Sequence, residues 1–234
     1  MTRRAVVWGA SGGVGRALVA ALVGSGDYGV IYAGSRAAGD SLADGVRPFR
    51  FHLLDEASIA AAAQGIVAEG PADLVIVATG MLHGAGLTPE KSFAALEAEA
   101  MVALFRANAI GPALIAALPR DRRSVFAALS ARVGSIGDNR LGGWHSYRAS
   151  KAALNMLIAN LAIELRRTRP AAIAVGLHPG TVDTGLSAPF QSRVAPGKLF
   201  TPETSAGHLL SVIAGLGEGD SGGVFAWDGA RIPA

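Results

Sequence analysis

The chain has 234 residues, half of them apolar, a net charge of +3 and no cysteine. That length fits one domain, 1–234, with a sizeable core, and the lack of Cys excludes disulfide and thiolate chemistry and fits a reducing cytoplasm. The basic residues are scattered, as in "DRR" and "LRRTR", without a stripe interleaved with aromatics, so no nucleic-acid surface is expected; no apolar run reaches the roughly 18 residues of a membrane span, so no membrane partner is expected either.

"MTRRAVVWGASGGVG" sets Arg before an apolar run. The run is short and breaks on Gly, which makes 4–9 a first strand rather than a signal peptide. A helix is expected over 13–24, a second strand over 28–34, a third over 47–53 and a helix over 56–68. A fourth strand, 73–79, precedes a long helical stretch, 92–118. A fifth strand, 124–130, precedes a helix over 147–168, and a sixth follows at 171–177. A helix over 202–216 and a seventh strand, 222–227, complete the pattern. This alternation predicts a parallel sheet covered on both faces, and the strands are apolar on both sides, as such burial demands. The irregular stretch 183–203 holds three Pro. It reads as a mobile substrate loop with room for a short helix, at the strand C-termini where open α/β sheets bind ligands.

Three motifs carry chemistry. "GASGGVG", Gly9 to Gly15, lies at the first strand–helix turn. Its G-x-x-x-G-x-G spacing is neither G-x-G-x-x-G nor a P-loop. Glycines nevertheless permit the tight turn and let a pyrophosphate approach free N–H groups at a helix N-terminus, and Ser11 adds a hydroxyl. The second motif, "YAGSR", ends the second strand with Ser35 and Arg36 and no acid. An acid there binds the 2′-OH of NAD, whereas Arg accommodates the 2′-phosphate of NADP; a solvated loop Arg is the plain alternative. Asp55 follows the third strand, where it can accept from the adenine amino group or cap the helix at 56–68.

The third motif is Tyr147 and Lys151 in "YRASK". Four residues on a helix rise about 6 Å and return to one face. Both side chains are therefore expected in one pocket, where the cation lowers a phenol pKa that starts near 10. Such a Tyr exchanges a proton with a carbonyl or alcohol oxygen. His83, His145 and His178 lack ligand spacing, and no metal site is expected.

In this order the motifs resemble the short-chain dehydrogenase/reductase family over essentially the whole chain, and most of all its C-factor-like branch, related to small carbonyl reductases. The resemblance implies NADP(H) as cofactor, with Gly9, Ser11, Gly13, Val14, Gly15, Ser35, Arg36, Asp55 and Gly80 along it. Pro179, Gly180, Thr181, Val182 and Thr184 would continue beside the nicotinamide and phosphates. It implies Tyr147 as acid/base, Lys151 on the nicotinamide ribose and Asn108 supporting a water in a proton relay; locally, a lone Asn in an apolar helix caps or kinks it. Three departures stand out. "VATG" (Val77 to Gly80) replaces Asn-Asn-Ala-Gly, Trp8 replaces a Thr, and Ala131 replaces the serine that polarises the substrate carbonyl. Ser130, rather than Ser135, is expected to supply that hydroxyl.

The expected architecture is a single doubly wound, Rossmann-type α/β domain with a mostly parallel seven-stranded sheet. The expected activity is NADP-dependent interconversion of a carbonyl and an alcohol on a small molecule. A dinucleotide-binding regulatory or signalling protein without substantial turnover is the alternative. Apolar residues on 92–118 and 147–168 exceed one sheet-facing stripe, and the family pairs these helices across a two-fold axis, so a dimer or tetramer is expected.

Overall fold

A computed structural model describes residues 2–37, 44–84, 86–113 and 122–234. Its elements in chain order are β1 (Arg4–Trp8), α1 (Gly13–Ser25), β2 (Val30–Ser35), β3 (Val46–Arg50), α2 (Glu56–Ala68) and β4 (Leu74–Val77). Then come α3 (Ala98–Phe105), α4 (Gly111–Ala113), β5 (Ser124–Leu129), α5 (His145–Thr168) and β6 (Ala172–His178). The chain closes with β7 (Thr181–Val182), β8 (Leu199–Phe200), α6 (Pro202–Gly215), β9 (Val224–Ala226) and β10 (Arg231–Ile232).

Side-chain alternation builds the layers. In β1, Ala5 and Val7 face one side, where Leu18 and Leu22 of α1 and Leu209 and Ile213 of α6 cover them. Val6 and Trp8 face the other side, under Ile59 of α2 and Leu154 and Ile158 of α5. Period-two strands with both faces apolar must be sandwiched in this way. Burying one such Leu or Ile side chain contributes about 1.5–3 kcal/mol.

The main sheet runs β10-β9-β6-β5-β4-β1-β2-β3 and has eight strands rather than the expected seven. The added strand is β10, two residues long and antiparallel to β9; the other pairings in this sheet are parallel. Two residues are too few to show alternation in sequence. Strand order reverses between β1 and β4, and the carboxyl ends there open a crevice suited to a ligand.

The expected long helix at 92–118 is broken. A 3₁₀ turn at Phe93–Ala95 precedes α3, a π-helical turn spans Arg106–Ile110, and α4 follows. Gly111 follows the π turn, and a Cβ there would lie 2.7 Å from Leu53 Cδ1, so the helix passes close to the segment after β3. The rest of that stretch, 114–118, lies outside the described residues. Among the described residues no helix is long and apolar enough to cross a membrane.

Candidate active site

A cavity of about 570 Å³ sits at the carboxyl ends of the central strands. Gly12, Gly13 and Val14 after β1, Ala78–Gly80 after β4, Leu129–Val133 after β5 and His178–Val182 after β6 form its sides. Leu82, Trp144, Tyr147 and Lys151 and six residues from within 183–203, among them Thr184, Leu186 and Phe190, complete it.

The Gly-rich turn is shaped by close approach. A Cβ on Gly15 would lie 2.1 Å from the Gly9 carbonyl oxygen, and Gly9 has φ +93°. A Cβ on Gly13 would lie 2.6 Å from Thr184 Cγ2, so α1 begins against the segment after β6. Gly12 caps α1 without a side chain, which leaves the first N–H groups open to an anion. The residues present therefore fit a dinucleotide phosphate. Ser11 is exposed in the turn. At the end of β2, Ser35 is buried and its hydroxyl donates to the Ala37 carbonyl, while Arg36 is exposed. Asp55 caps α2, accepting from Ser58 N at 3.2 Å. These last three lie along the same carboxyl edge but outside the cavity wall, as do Gly9, Ser11, Gly15 and Asn108.

Tyr147 and Lys151 share the cavity as their spacing predicts, 7% and 3% exposed. The electrostatics differ from expectation. Burial pushes the Tyr147 phenol up to about 12 and the Lys151 ammonium down to about 8. The ammonium donates to the Leu129 carbonyl at 2.7 Å and lies 5.9 Å from the Tyr147 ring centroid. It addresses the ring and a strand end rather than stabilising a phenolate, so desolvation governs both groups.

Asn108 is fully buried inside the π-helical turn. Its Oδ1 accepts from Met81 N at 2.8 Å, and its Nδ2 donates to Met81 O at 2.8 Å and to Ser150 Oγ at 3.0 Å. Ser150 in turn donates to the Tyr147 carbonyl at 2.8 Å. Asn108 therefore ties the segment after β4 to the first turns of α5. Asn108 thus sits in a π turn and clamps two segments, and Ser150 is a member that sequence spacing did not single out.

The structure places the two candidate serines differently. Ser130 reaches the cavity wall, but its hydroxyl donates to Asn155 Oδ1 at 2.6 Å, which commits its proton to α5. Ser135 lies outside the wall, and its Oγ accepts from Asp138 N at 3.0 Å. Ala131 packs with Tyr147, Leu82 and Leu104. The position of the family serine is therefore apolar, with neither neighbouring hydroxyl turned into it. The other departures are structural. Trp8 turns into the core, edge-on to Phe49 and Phe51 at 4.8 Å each. Thr79 Oγ1 is buried beside the cavity without a hydrogen-bond partner among the described residues.

The remaining wall is apolar and aromatic. Trp144 and Phe190 rings lie 4.9 Å apart, and Trp144 to Tyr147 is 6.3 Å. Trp144 adopts φ +52° after two positive-φ glycines, Gly142 and Gly143, a strained conformation of the kind that clusters at functional sites. The segment 183–203 is organised by the two-stranded β7–β8 pair, a 3₁₀ helix at Ala188–Arg193, and His83 Nε2 at 3.1 Å from both Gly185 O and Leu186 O. Neither Trp144 nor Phe190 carried a sequence signal, since each is a lone aromatic in an irregular stretch.

The chain is similar to known proteins. C-signal of Myxococcus xanthus is 36% identical over 138 residues, covering 57% of this chain and 78% of that protein. NADPH-bound carbonyl reductase from chicken fatty liver is 25% identical, with a TM-score of 0.80 over 100% of this chain and 94% of that one. Carbonyl reductase Sniffer of D. melanogaster superposes with a TM-score of 0.84 over the whole of both chains at 20% identity, which is likeness of fold. The sequence model of the short chain dehydrogenase family matches residues 3–195, and the chain belongs to that family of oxidoreductases.

Proposed function

We propose that the protein is a one-domain reductase that interconverts a carbonyl and an alcohol, with NADP(H) as cofactor and Tyr147 as the acid/base. When bound, the nicotinamide supplies or accepts the hydride at the carbonyl carbon. The observation that carries this reading is the shared cavity: Tyr147 and Lys151 on one wall, and the Gly12–Gly13 turn with its open helix N-terminus on another. In the reducing direction Tyr147 gives its phenolic proton to the substrate oxygen. Burial keeps that proton in place until charge builds on the oxygen, and a donor aimed at developing charge lowers the barrier. Lys151, anchored on the Leu129 carbonyl beside Tyr147, would hold the nicotinamide ribose. Gly80 lies beside both groups: a Cβ there would stand 3.6 Å from Asn108 Oδ1 and from Lys151 Nζ, in ordinary contact.

Arg36, exposed at the end of β2, meets the 2′-phosphate and selects NADP over NAD. Leu82, Val133, Trp144, Leu186 and Phe190 offer the substrate a mostly apolar wall, which suits an uncharged ketone, aldehyde or quinone. The segment 183–203 closes the substrate side. The alternative, a dinucleotide-binding regulatory protein without substantial turnover, draws support from Ala131 and from the committed Ser130 proton.

NADPH oxidation with a panel of aldehydes, ketones and quinones tests the reading. Tyr147→Phe retains NADPH binding and loses about 10²–10⁴-fold in kcat, the scale of general acid catalysis. Full turnover in that variant makes Tyr147 a packing residue; no turnover in the wild-type protein moves the regulatory reading ahead.

A further inference from the structure

With Ala131 apolar and Ser130 bonded to Asn155, the cavity needs another donor if the substrate oxygen is to receive more than the Tyr147 proton. Most polar side chains around it already have partners. Lys151 donates to Leu129 O, and the hydroxyls of Thr184 and Ser187 both reach back to Val182 O. Thr79 Oγ1 is also without a partner among the described residues, but Thr79 follows β4 against the glycine turn, where its methyl Cγ2 lies 2.9 Å from where a Gly9 Cβ would stand.

His178 differs. It is the last residue of β6 and lines the cavity. Leu177 pairs with Leu129 in register, and Ser130 N donates to Leu177 O at 2.8 Å. The imidazole therefore stands at the strand ends beside Ser130 and near the carbonyl that holds Lys151. Its Nδ1 is buried without a hydrogen-bond partner among the described residues, which leaves Nε2 as the nitrogen that meets the cavity. An orphaned buried N–H is rarer and costlier than an orphaned acceptor, so the proton resides on Nε2.

We infer that His178 donates, through Nε2–H, a second hydrogen bond to the substrate's carbonyl oxygen and stands in for the serine that Ala131 replaces. This rests on the carbonyl-reductase reading above. Burial, with Arg132 reinforcing it against the opposing Asp228, pushes the imidazole down to about 4. The ring is therefore neutral at pH 7, with one donor and one acceptor. A neutral donor of this kind polarises a carbonyl without releasing its own proton, so Tyr147 remains the proton source.

The experiment compares His178→Phe, His178→Gln and His178→Asn, with and without Ala131→Ser, on the best substrate of the panel. NADPH affinity and thermal stability are measured alongside. His178→Phe is expected to lose about 10²-fold in kcat, the scale for one oxyanion donor, with NADPH Kd within about twofold. Gln places an amide N–H near the Nε2 position and should retain more activity than Asn, whose amide reaches only the Nδ1 position. Ala131→Ser should restore about tenfold or more to His178→Phe. A packing role lowers thermal stability in step with activity and gives no serine rescue, whereas the donor role keeps stability and gives the rescue. If His178→Phe does not fold, the Gln and Asn variants decide between the two roles: equal activity in both overturns the inference. Loss of NADPH affinity with kcat intact also overturns it. Active His178 variants beside a dead Tyr147→Phe sink this inference alone, whereas a wild-type protein without turnover sinks the underlying reading with it.

Discussion

Asn108 donates from Nδ2 to Ser150 Oγ at 3.0 Å, and Ser150 donates onward to the carbonyl of Tyr147 at 2.8 Å. Through this pair the segment after β4 sets the first turns of α5, and so the place of the phenol. The linkage is buried, and Asn108 and Ser150 both show no exposure.

Asn108→Ala leaves the Met81 N–H, the Met81 carbonyl and Ser150 Oγ without that partner. Each buried polar group left unpaired costs about 1–3 kcal/mol, and the three share one site, so they do not add fully. The expected destabilisation is about 3 kcal/mol in urea unfolding. A change below about 1 kcal/mol overturns the clamp.

The pH dependence of stability follows from the buried pair. The Lys151 pKa is lowered from 10.5 to about 8. The unfolded state then holds more protons across that interval, so the cost of burying the ammonium is relieved as pH rises through it. The Tyr147 pKa is raised from 10.0 to about 12, so its stabilisation is complete below pH 10 and is lost as pH rises toward 12. Lys151→Met removes the first effect and keeps the second. The stability difference between wild type and Lys151→Met should shift in favour of wild type by about 3 kcal/mol between pH 8 and 10.5. A flat difference over that range contradicts the lowered Lys151 pKa.

Arg36→Ala should weaken NADPH binding by about 1–3 kcal/mol, the scale of a charge-assisted hydrogen bond, and leave NADH binding nearly unchanged. Titration with both cofactors checks this. Equal losses for the two refute the assignment of Arg36 to the 2′-phosphate.

Most of the frame was legible because period and composition repeat over many residues. The seven Val-, Ile- and Phe-rich runs all became strands, and Tyr147 and Lys151 meet the cavity because helical periodicity requires it. What escaped depends on contacts between distant segments. Ser130 is held by Asn155, 25 residues on, and no local pattern shows that. Helical spacing places Lys151 beside Tyr147 and suggests a lowered phenol, whereas the depth of burial that raises it is a tertiary property. The π turn in the 92–118 stretch holds Asn108, whose partners Met81 and Ser150 are 27 and 42 residues away. His178 looked like one of several scattered histidines until the end of β6 placed it in the cavity wall.

Self-association is the last expectation. Val102 on α3 and Met156 and Ile163 on α5 are 51%, 62% and 54% exposed, on helices whose other faces are buried. Covering one such side chain contributes about 1.5–3 kcal/mol, and a two-fold axis doubles every contact because each patch meets its own copy. A dimer or tetramer is therefore expected in light scattering at micromolar concentration. Met156→Glu with Ile163→Glu places charges at the centre of the patch, opposite like charges from the partner, and should shift the mass to the monomer without changing the circular dichroism spectrum. A wild-type protein that stays monomeric across the concentration series rules the pairing out. An oligomer indifferent to both glutamates moves the contact to another face.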